Sequence, residues 1–580
     1  MTRVETVGLV NTTAAYYAPA TIGPTNSQVI HVAGQAGMTK NGTVPTDYES
    51  QIHLAFLNLR KILILSGASV KDILKLTLYI VNYNPASRVH TRHLQRFLAG
   101  HRPAITLVPV AQLAAPAWLF EVDSVAVRPA PAVPRPLIGT ANRGQLDAVI
   151  VGAGLAGRAG RSQCCVRASA SRAVIHYPGG ERSHDSGHGM VDLGAAWMND
   201  VNQSKVYALA RRFGAEILEQ NTTGLCVLQD AEGECSTFTY GELPKFDAAT
   251  VRDIARIRDM MTFEAYLRTR GAGKEALAAA AVWTRAMLGQ GPRDISALWF
   301  IAYCKAGGGL LQMRSDRKGG GQHLRIRQGM QIISKAIAQT LPQDVVRLSS
   351  PVVSVTQEGS SGVELVTADK KTLQARKAII TVPSPVLKTM DFSPKLPASK
   401  QLWAESSNYG YYTKAMMIFR TPFWVEKGYC GLIQSFTGPA SVIRDTSSLP
   451  DKKYILTCFM ASDSGRAWAA LPTDGRKAAL IEQIGKLFDA ETEAARHFVD
   501  LVTYEWVNDL YSGWGCPCIA LTPGVMDAVG EAVREPAGNL HFAGTETAVR
   551  WRGYMEGAIE SGERAAAEVI RKLNTASVRL

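Results

Sequence analysis

The chain has 580 residues, of which 46% are hydrophobic and 19% charged, an ordinary globular balance that leaves room for two or three domains, each burying its own core. Its formal charge of +13 comes from scattered Lys and Arg with no accompanying nucleic-acid motif, so a solvated basic surface is expected and no nucleic-acid partner. No apolar run approaches the roughly 20 residues that span a bilayer. The start, MTRVETVGLVNTTAAYY, lacks a secretory core, so no membrane span and a cytoplasmic location are expected. Nine cysteines, none before Cys164, have no framework spacing, and Cys516 and Cys518 are too isolated for a zinc ribbon. A reducing compartment and no metal follow. The terminal Val578, Arg579 and Leu580 match an SKL-type address in two residues, which makes peroxisomes the alternative location.

The first unit runs from about Ala14 to Val127. Val29, His31 and Ala33 begin a strand that ends at Gly34. From Tyr48 to Leu65, Ile52, Ala55, Phe56, Leu59, Ile62 and Leu63 follow helical spacing, closed by Gly67. Leu74, Leu76, Leu78 and Ile80 alternate with Lys75, Thr77 and Tyr79, which predicts a half-buried strand. A second helix follows Pro85, with Val89, Leu94, Phe97 and Leu98 turned to the sheet. Strands Ile105–Ala111 and Trp118–Val127 complete an α+β unit. VAGQ at Val32, LxxSGAS and RPAIT resemble the RidA/YjgF family over residues 14 to 127. The resemblance implies a homo-oligomer, a trimer, that hydrolyses reactive imines between subunits with an arginine where Ile105 stands. An apolar side chain offers no donor fork to a carboxylate, and Glu121 loses its partner. The expected role is therefore oligomerising or ligand-binding.

RPAPAVPRP, Arg128 to Pro136, has the composition of a semi-rigid linker. DAVIVGAGLAG then predicts a buried strand running into Gly152, Gly154 and Gly157, the GxGxxG turn that seats a pyrophosphate on a helix N-terminus. A dinucleotide fold should continue with an amphipathic helix and a strand ending in an acid. Arg158 to Arg172 instead shows no sustained apolar face, and Ala173 to Tyr177 ends without Asp or Glu. Gly179, Gly180 and Arg182, with Glu181 intruding, only partly form a GGR turn. Residues 158–188 thus predict a broken cofactor motif, of the kind a shifted reading frame or mis-drawn exon border produces.

Helical patterns fill Val201 to Leu310 and carry no chemistry. Val345 to Val355 reads as a strand pair around Pro351, and KAIITVP as another buried strand. Lys414 lies among the alternating Tyr412, Met416 and Ile418 of a strand, either on an edge facing solvent or functional, since an idle lysine on an apolar strand is costly to bury. Near the C-terminus, Leu540 to Phe542 form a short strand and Gly544 a sharp turn. Met555, Ile559, Gly562, Ala566, Val569 and Leu573 then give a helix from about Tyr554, whose small neighbours let a flat molecule approach its first turn.

GTETA followed by WxGYMEGAIxSGxRAA closely resembles the C-terminal flavin motif of the monoamine oxidase family, and GMVDLGAAWMND from Gly189 follows the same pattern; the resemblance covers residues 146 to 571. It implies an α/β FAD-dependent amine oxidase fold behind the α+β unit. Residues 1–127 would be the RidA-like domain and 128–145 the linker. FAD-binding parts would span 146–222, 319–400 and 505–580, and substrate-domain parts 223–318 and 401–504. Cofactor contacts would come from Gly152, Gly154, Gly157, Gly194, Val352, Gly544, Thr545, Glu546, Thr547 and Met555. Lys414 would hold a water at the flavin, and Tyr554 would be one wall of an aromatic cage around the amine. Pro517 stands at the opposite wall, with Trp514 as its substitute. Cys516, eight positions before Gly524, has the spacing of a covalent flavin thioether, with Cys518 in competition. The implied function is oxidative deamination of an amine by O2 to imine and aldehyde, with ammonia and hydrogen peroxide. No carboxylate clamp is recognisable, which ranks amino acids below simple amines. The alternative is a catalytically impaired flavoprotein or scaffold, argued from residues 158–188 and Ile105.

Overall fold

The computed structural model describes residues 4–7, 17–18, 20–128, 146–165, 171–178, 180–230, 232–240, 259–342, 345–357 and 362–577. The expected linker beyond Arg128, Gly179 of the GGR-like turn and the C-terminal Val578, Arg579 and Leu580 lie outside these residues.

In the N-terminal unit, strands Gln28–Ala36, Phe120–Arg128, Ile73–Val81 and Ala104–Val110 form a four-stranded sheet in that order, the last pair parallel. Leu76, Leu78 and Ile80 are buried, as their alternation predicts. Helix Tyr48–Leu65 begins at Asp47, whose carboxylate accepts a hydrogen bond from the Ser50 amide. One side of this helix packs Ile52, Leu59 and Leu63 on the sheet. Ile105 lies against the same core. The other side carries Leu54, Leu57 and Ile64 into the core of the C-terminal part, which explains a helix that is apolar nearly all round.

Polar contacts lock the same junction. The Thr262 amide donates to Ser50 Oγ at 2.9 Å, and the fully buried Asp294 receives Arg92 and, at 2.5 Å, Arg96. Burial holds His53 and His93 far below the usual imidazole range, at about 3 and about 4, so both stay neutral there. Asp294→Ala is expected to lower stability by about 2 kcal/mol, short of the roughly 3–5 kcal/mol of a fully buried pair because both guanidiniums keep part of their hydration. Chemical denaturation followed by tryptophan fluorescence measures it, and an unmoved midpoint would show that the junction rests on apolar packing alone.

The C-terminal part is built on two sheets. Strand Leu146–Ala153 pairs in parallel with Ser171–Pro178 on one side and Thr372–Ile380 on the other, inside an eight-stranded sheet. Here the structure corrects one part of the sequence reading of residues 158–188, the expected loss of the helix and of the second strand. Helix Leu155–Cys165 forms, and the second strand follows in register, Ile150 opposite Ala173 and Val151 opposite Val174. The helix lies against the C-terminal helix Met555–Ser577 through small residues. A Cβ on Gly562 would sit 2.1 Å from the Ala156 carbonyl oxygen, and one on Gly160 would sit 3.0 Å from that of Gly562. Backbones this close need glycine rather than large apolar side chains, so hydrophobic periodicity misses the helix. The acid expected at the end of the second strand is absent all the same.

The second sheet has seven strands, in the order Cys235–Thr239, Leu225–Gln229, Tyr429–Ser435, Val442–Asp445, Tyr454–Ala461, Tyr412–Phe419 and Phe498–Glu505. All eight residues of Tyr412–Phe419 are buried. Among the described residues no helix is long and apolar enough to cross a membrane, and no group of three or more His, Cys, Asp or Glu is placed to hold a metal ion.

Candidate functional site

A cavity of about 580 Å³ is lined by residues of both sheets. At one end the turn after Leu146–Ala153 brings Gly152 and Gly154 to its wall. Gly152 has φ +122°, and a Cβ there would lie 2.1 Å from Thr381 Oγ1. Gly157 does not reach the cavity. A Cβ on it would meet the Gly152 carbonyl oxygen at 2.2 Å, so its part is to let helix and strand close on each other. Val352 lines the wall nearby. So does the buried Glu181, whose carboxylate accepts from the Ser334 hydroxyl and lies near the Arg158 charge.

The C-terminal stretch supplies the next wall, through Gly544, Thr545, Glu546 and Met555. Thr545 Oγ1 receives the Gly553 amide at 2.8 Å and donates to the Tyr554 carbonyl at 2.9 Å, which ties the turn to the start of the helix. Glu546 accepts from the Ser384 amide and the Tyr409 hydroxyl, each at 2.9 Å, and burial raises its pKa. Thr547 faces away from the cavity and bonds the Gly544 carbonyl. These residues fit a flavin dinucleotide: a backbone turn with no room for a Cβ at Gly152, a helix N-terminus behind it, and a continuous wall from there to Tyr554.

At the far end stands Lys414, 3% exposed. Its strand is interior to the seven-stranded sheet, which removes the edge-strand alternative. Nζ donates to the carbonyls of Asp192 and, at 2.9 Å, Gly194, and lies 5.3 Å from the centre of the Trp197 ring. Burial pulls its pKa down to about 8, against the attraction of Asp192. Gly194, which also lines the cavity, therefore positions the lysine directly.

Tyr554 lines the same end, its ring edge-on to Trp551 at 4.9 Å and its hydroxyl 3.4 Å from the Met313 carbonyl oxygen. Trp514 does not serve as the opposite wall, because it is 39% exposed and outside the cavity. Pro517 is at the wall, together with Tyr409 and Tyr412, whose role sequence reasoning did not anticipate. Of the two competing thiols, Cys516 faces the cavity, whereas Cys518 is fully buried behind Gly553. Burial pushes the Cys516 thiol up while Lys414 draws it down.

Two arginines at this end were also missed. Arg444 lines the cavity and pairs with the buried Asp316. Arg314 lines it as well, its guanidinium 5.9 Å from the Trp283 ring centre. No sequence signal singles them out, since an arginine's partner is decided by segments distant in the chain.

The family model described as flavin containing amine oxidoreductase matches residues 179–570, and that described as endoribonuclease L-PSP matches residues 10–128. The first match begins after the GxGxxG strand, whereas the resemblance read from sequence began at residue 146. An amine oxidase [flavin-containing] of Oncorhynchus mykiss is 34% identical over 284 residues, 49% of this chain and 53% of that protein. Amine oxidase [flavin-containing] A of Bos taurus is 33% identical over 290 residues, 50% of this chain and 54% of that one. The chain thus spans about half the length of these two relatives. A Mycobacterium tuberculosis protein assigned as a flavin-containing monoamine oxidase is 31% identical over 454 residues, 73% of this chain and 96% of that one. In fold, cyclohexylamine oxidase from Brevibacterium oxydans IH-35A matches with a TM-score of 0.68 at 24% identity, covering 74% of this chain and 100% of that one. Putrescine oxidase bound to putrescine matches at 0.67 and 21%, over 74% and 99%.

Proposed function

Because this chain belongs to the family of flavin containing amine oxidoreductases, we propose that it holds FAD along the cavity and oxidises an amine at the Lys414 and Tyr554 end. The observation that carries this reading is a buried lysine, fixed by two carbonyls, opening into the same cavity as the Gly152 turn. Gly152 and Gly154 would take the pyrophosphate, Val352 the adenine side, Glu546 the ribityl side, with Thr545 in place of the Thr547 that the family resemblance implies because Thr547 is not on the cavity wall, and the Met555 amide the pyrimidine. Gly157, Gly194, Gly544 and Thr547 would keep those groups in place. Glu181 lines the wall where the second strand offers no acid. Bound FAD supplies an acceptor for a hydride equivalent from the carbon beside the nitrogen, and dioxygen finally leaves with both electrons as hydrogen peroxide.

The protein's own contribution is to orient and to exclude water. Tyr554, with Tyr409 and Tyr412 along the same wall, presents ring faces to the amine nitrogen. Lys414 Nζ has two of its hydrogen-bonding directions occupied by carbonyls and holds a single water or proton with the third. The imine product hydrolyses to aldehyde and ammonia. Cys516, the thiol that faces the cavity, would form the flavin thioether. The parts 146–222, 319–400 and 505–580 would bind FAD, and 223–318 and 401–504 would shape the substrate side. The N-terminal unit docks on this body through helix Tyr48–Leu65, which leaves its sheet for a trimer contact. With Ile105, partly buried against the core, where the family's arginine would stand, it is not assigned imine hydrolysis. A cytoplasmic location completes the proposal.

The purified full-length protein should be yellow with a flavin spectrum and release peroxide and ammonia in equal amounts from an amine. Acid precipitation should carry the colour into the pellet with Cys516 modified. A colourless protein that stays inactive with added FAD would favour the scaffold reading; colour wholly in the supernatant would remove the thioether alone.

A further inference from the structure

We propose that the amine taken by this site also carries a carboxylate, which Arg314 receives, so that the substrate class is amino acids rather than simple amines or diamines. The proposal rests on the oxidase reading above and reverses the order suggested by sequence.

Arg314 ends the helix Leu310–Arg314 and directly follows Met313, whose carbonyl accepts the Tyr554 hydroxyl. It therefore stands beside the residue that would face the amine. Each neighbouring cation is already satisfied. Arg444 has Asp316, Arg325 donates to the carbonyls of Thr446 and Ser447, and Lys414 has the carbonyls of Asp192 and Gly194. Among the described residues the Arg314 guanidinium makes no hydrogen bond and no ion pair; the Trp283 ring face lies 5.9 Å from it.

The charges facing Arg314 are Arg444, which repels it, and Asp316, which attracts it but is engaged by Arg444; the phenols of Tyr554 and Tyr240 are the other titratable neighbours. Two guanidiniums thus share one carboxylate. A partly buried cation on a cavity wall with no anion of its own is costly, and a planar fork with free N–H groups donates to a carboxylate in two parallel hydrogen bonds. A ligand carboxylate would bring the missing negative charge. The same cation opposes a second ammonium, which sets diamines apart. The carboxylate takes no part in the redox step: the carbon beside the nitrogen loses two electrons, the nitrogen becomes an imine, and dioxygen becomes hydrogen peroxide.

The test pairs each amino acid with the amine that lacks its carboxylate, phenylalanine with phenethylamine and leucine with 3-methylbutylamine, using the flavin-loaded full chain and peroxide release. Wild type should favour the amino acid by at least about tenfold in kcat/KM, and Arg314→Leu should cost it on the order of 100-fold, mostly in KM, and cost the amine at least about tenfold less. Arg314→Lys, which keeps the charge and loses the fork, should fall between. Calorimetry with phenylacetate gives a second readout, with binding expected in wild type and lost in Arg314→Leu. If no amine or amino acid is oxidised but phenylacetate still binds through Arg314, the oxidase reading fails and the carboxylate site stands. Preference for the simple amine, an equal loss for both partners of a pair, or phenylacetate binding indifferent to Arg314→Leu would overturn the proposal.

Discussion

Lys414→Met is expected to keep its flavin and to lose amine oxidation by on the order of 100-fold or more, the scale of removing a positioned proton-handling group. The side chain is buried, so its amine is costly unless used, and its two carbonyl partners hold Nζ at one place on the cavity wall. Methionine keeps most of the volume in the interior strand Tyr412–Phe419, so the fold should survive and the loss should be chemical. Because burial lowers the lysine pKa to about 8, the wild-type rate should carry an ionisation near that pH, with Nζ protonated below and neutral above, and the variant should lack it. Stopped-flow bleaching of the flavin by substrate, followed across pH, separates reduction from the oxygen step. Reduction and reoxidation both at wild-type rates would exclude Lys414 from the chemistry.

Gly157→Val is expected to give a colourless protein. The added Cβ would lie 2.2 Å from the Gly152 carbonyl oxygen and 3.1 Å from Thr381 Oγ1. The nearest obstacle is backbone, so the helix Leu155–Cys165 must move off the strand or the Gly152 turn must open. Overpacking of this kind costs about 1–3 kcal/mol. The larger effect is on the ligand, since Gly152 and Gly154 on the cavity wall move with the turn. Absorbance of the purified variant gives the flavin content, and circular dichroism shows whether the fold remains. Full flavin retention in a folded variant would mean that the phosphates are held elsewhere.

Much of the cavity wall was legible because its motifs are local. Gly152 and Gly154 in GxGxxG, and Gly544, Thr545, Glu546 and Met555 in the C-terminal stretch, all reach one wall, since each belongs to a strand, turn and helix whose geometry its own residues set. Gly157 and Thr547 lie behind that wall: glycine spacing marks a tight turn but does not say which of its residues faces the ligand. Trp514 was misplaced for a related reason, because an inserted residue in a loop has no periodicity to give its direction.

By itself the sequence determined the elements with one apolar face: helix Tyr48–Leu65, the alternating strand around Leu76, and the long helix from Met555. It also determined the family, through runs too specific to recur by chance. Only the tertiary structure decided that helix Leu155–Cys165 forms on a glycine seam with Gly562, that the N-terminal unit shares a core with the rest through Leu54 and Leu57, and that Arg444 pairs with Asp316 while the Arg314 guanidinium lies over Trp283. The physical reason is common to all three. Periodicity records how a segment divides between apolar and polar sides, whereas close backbone approach, burial of a second helix face and the pairing of a charge are properties of the neighbour that arrives from elsewhere in the chain.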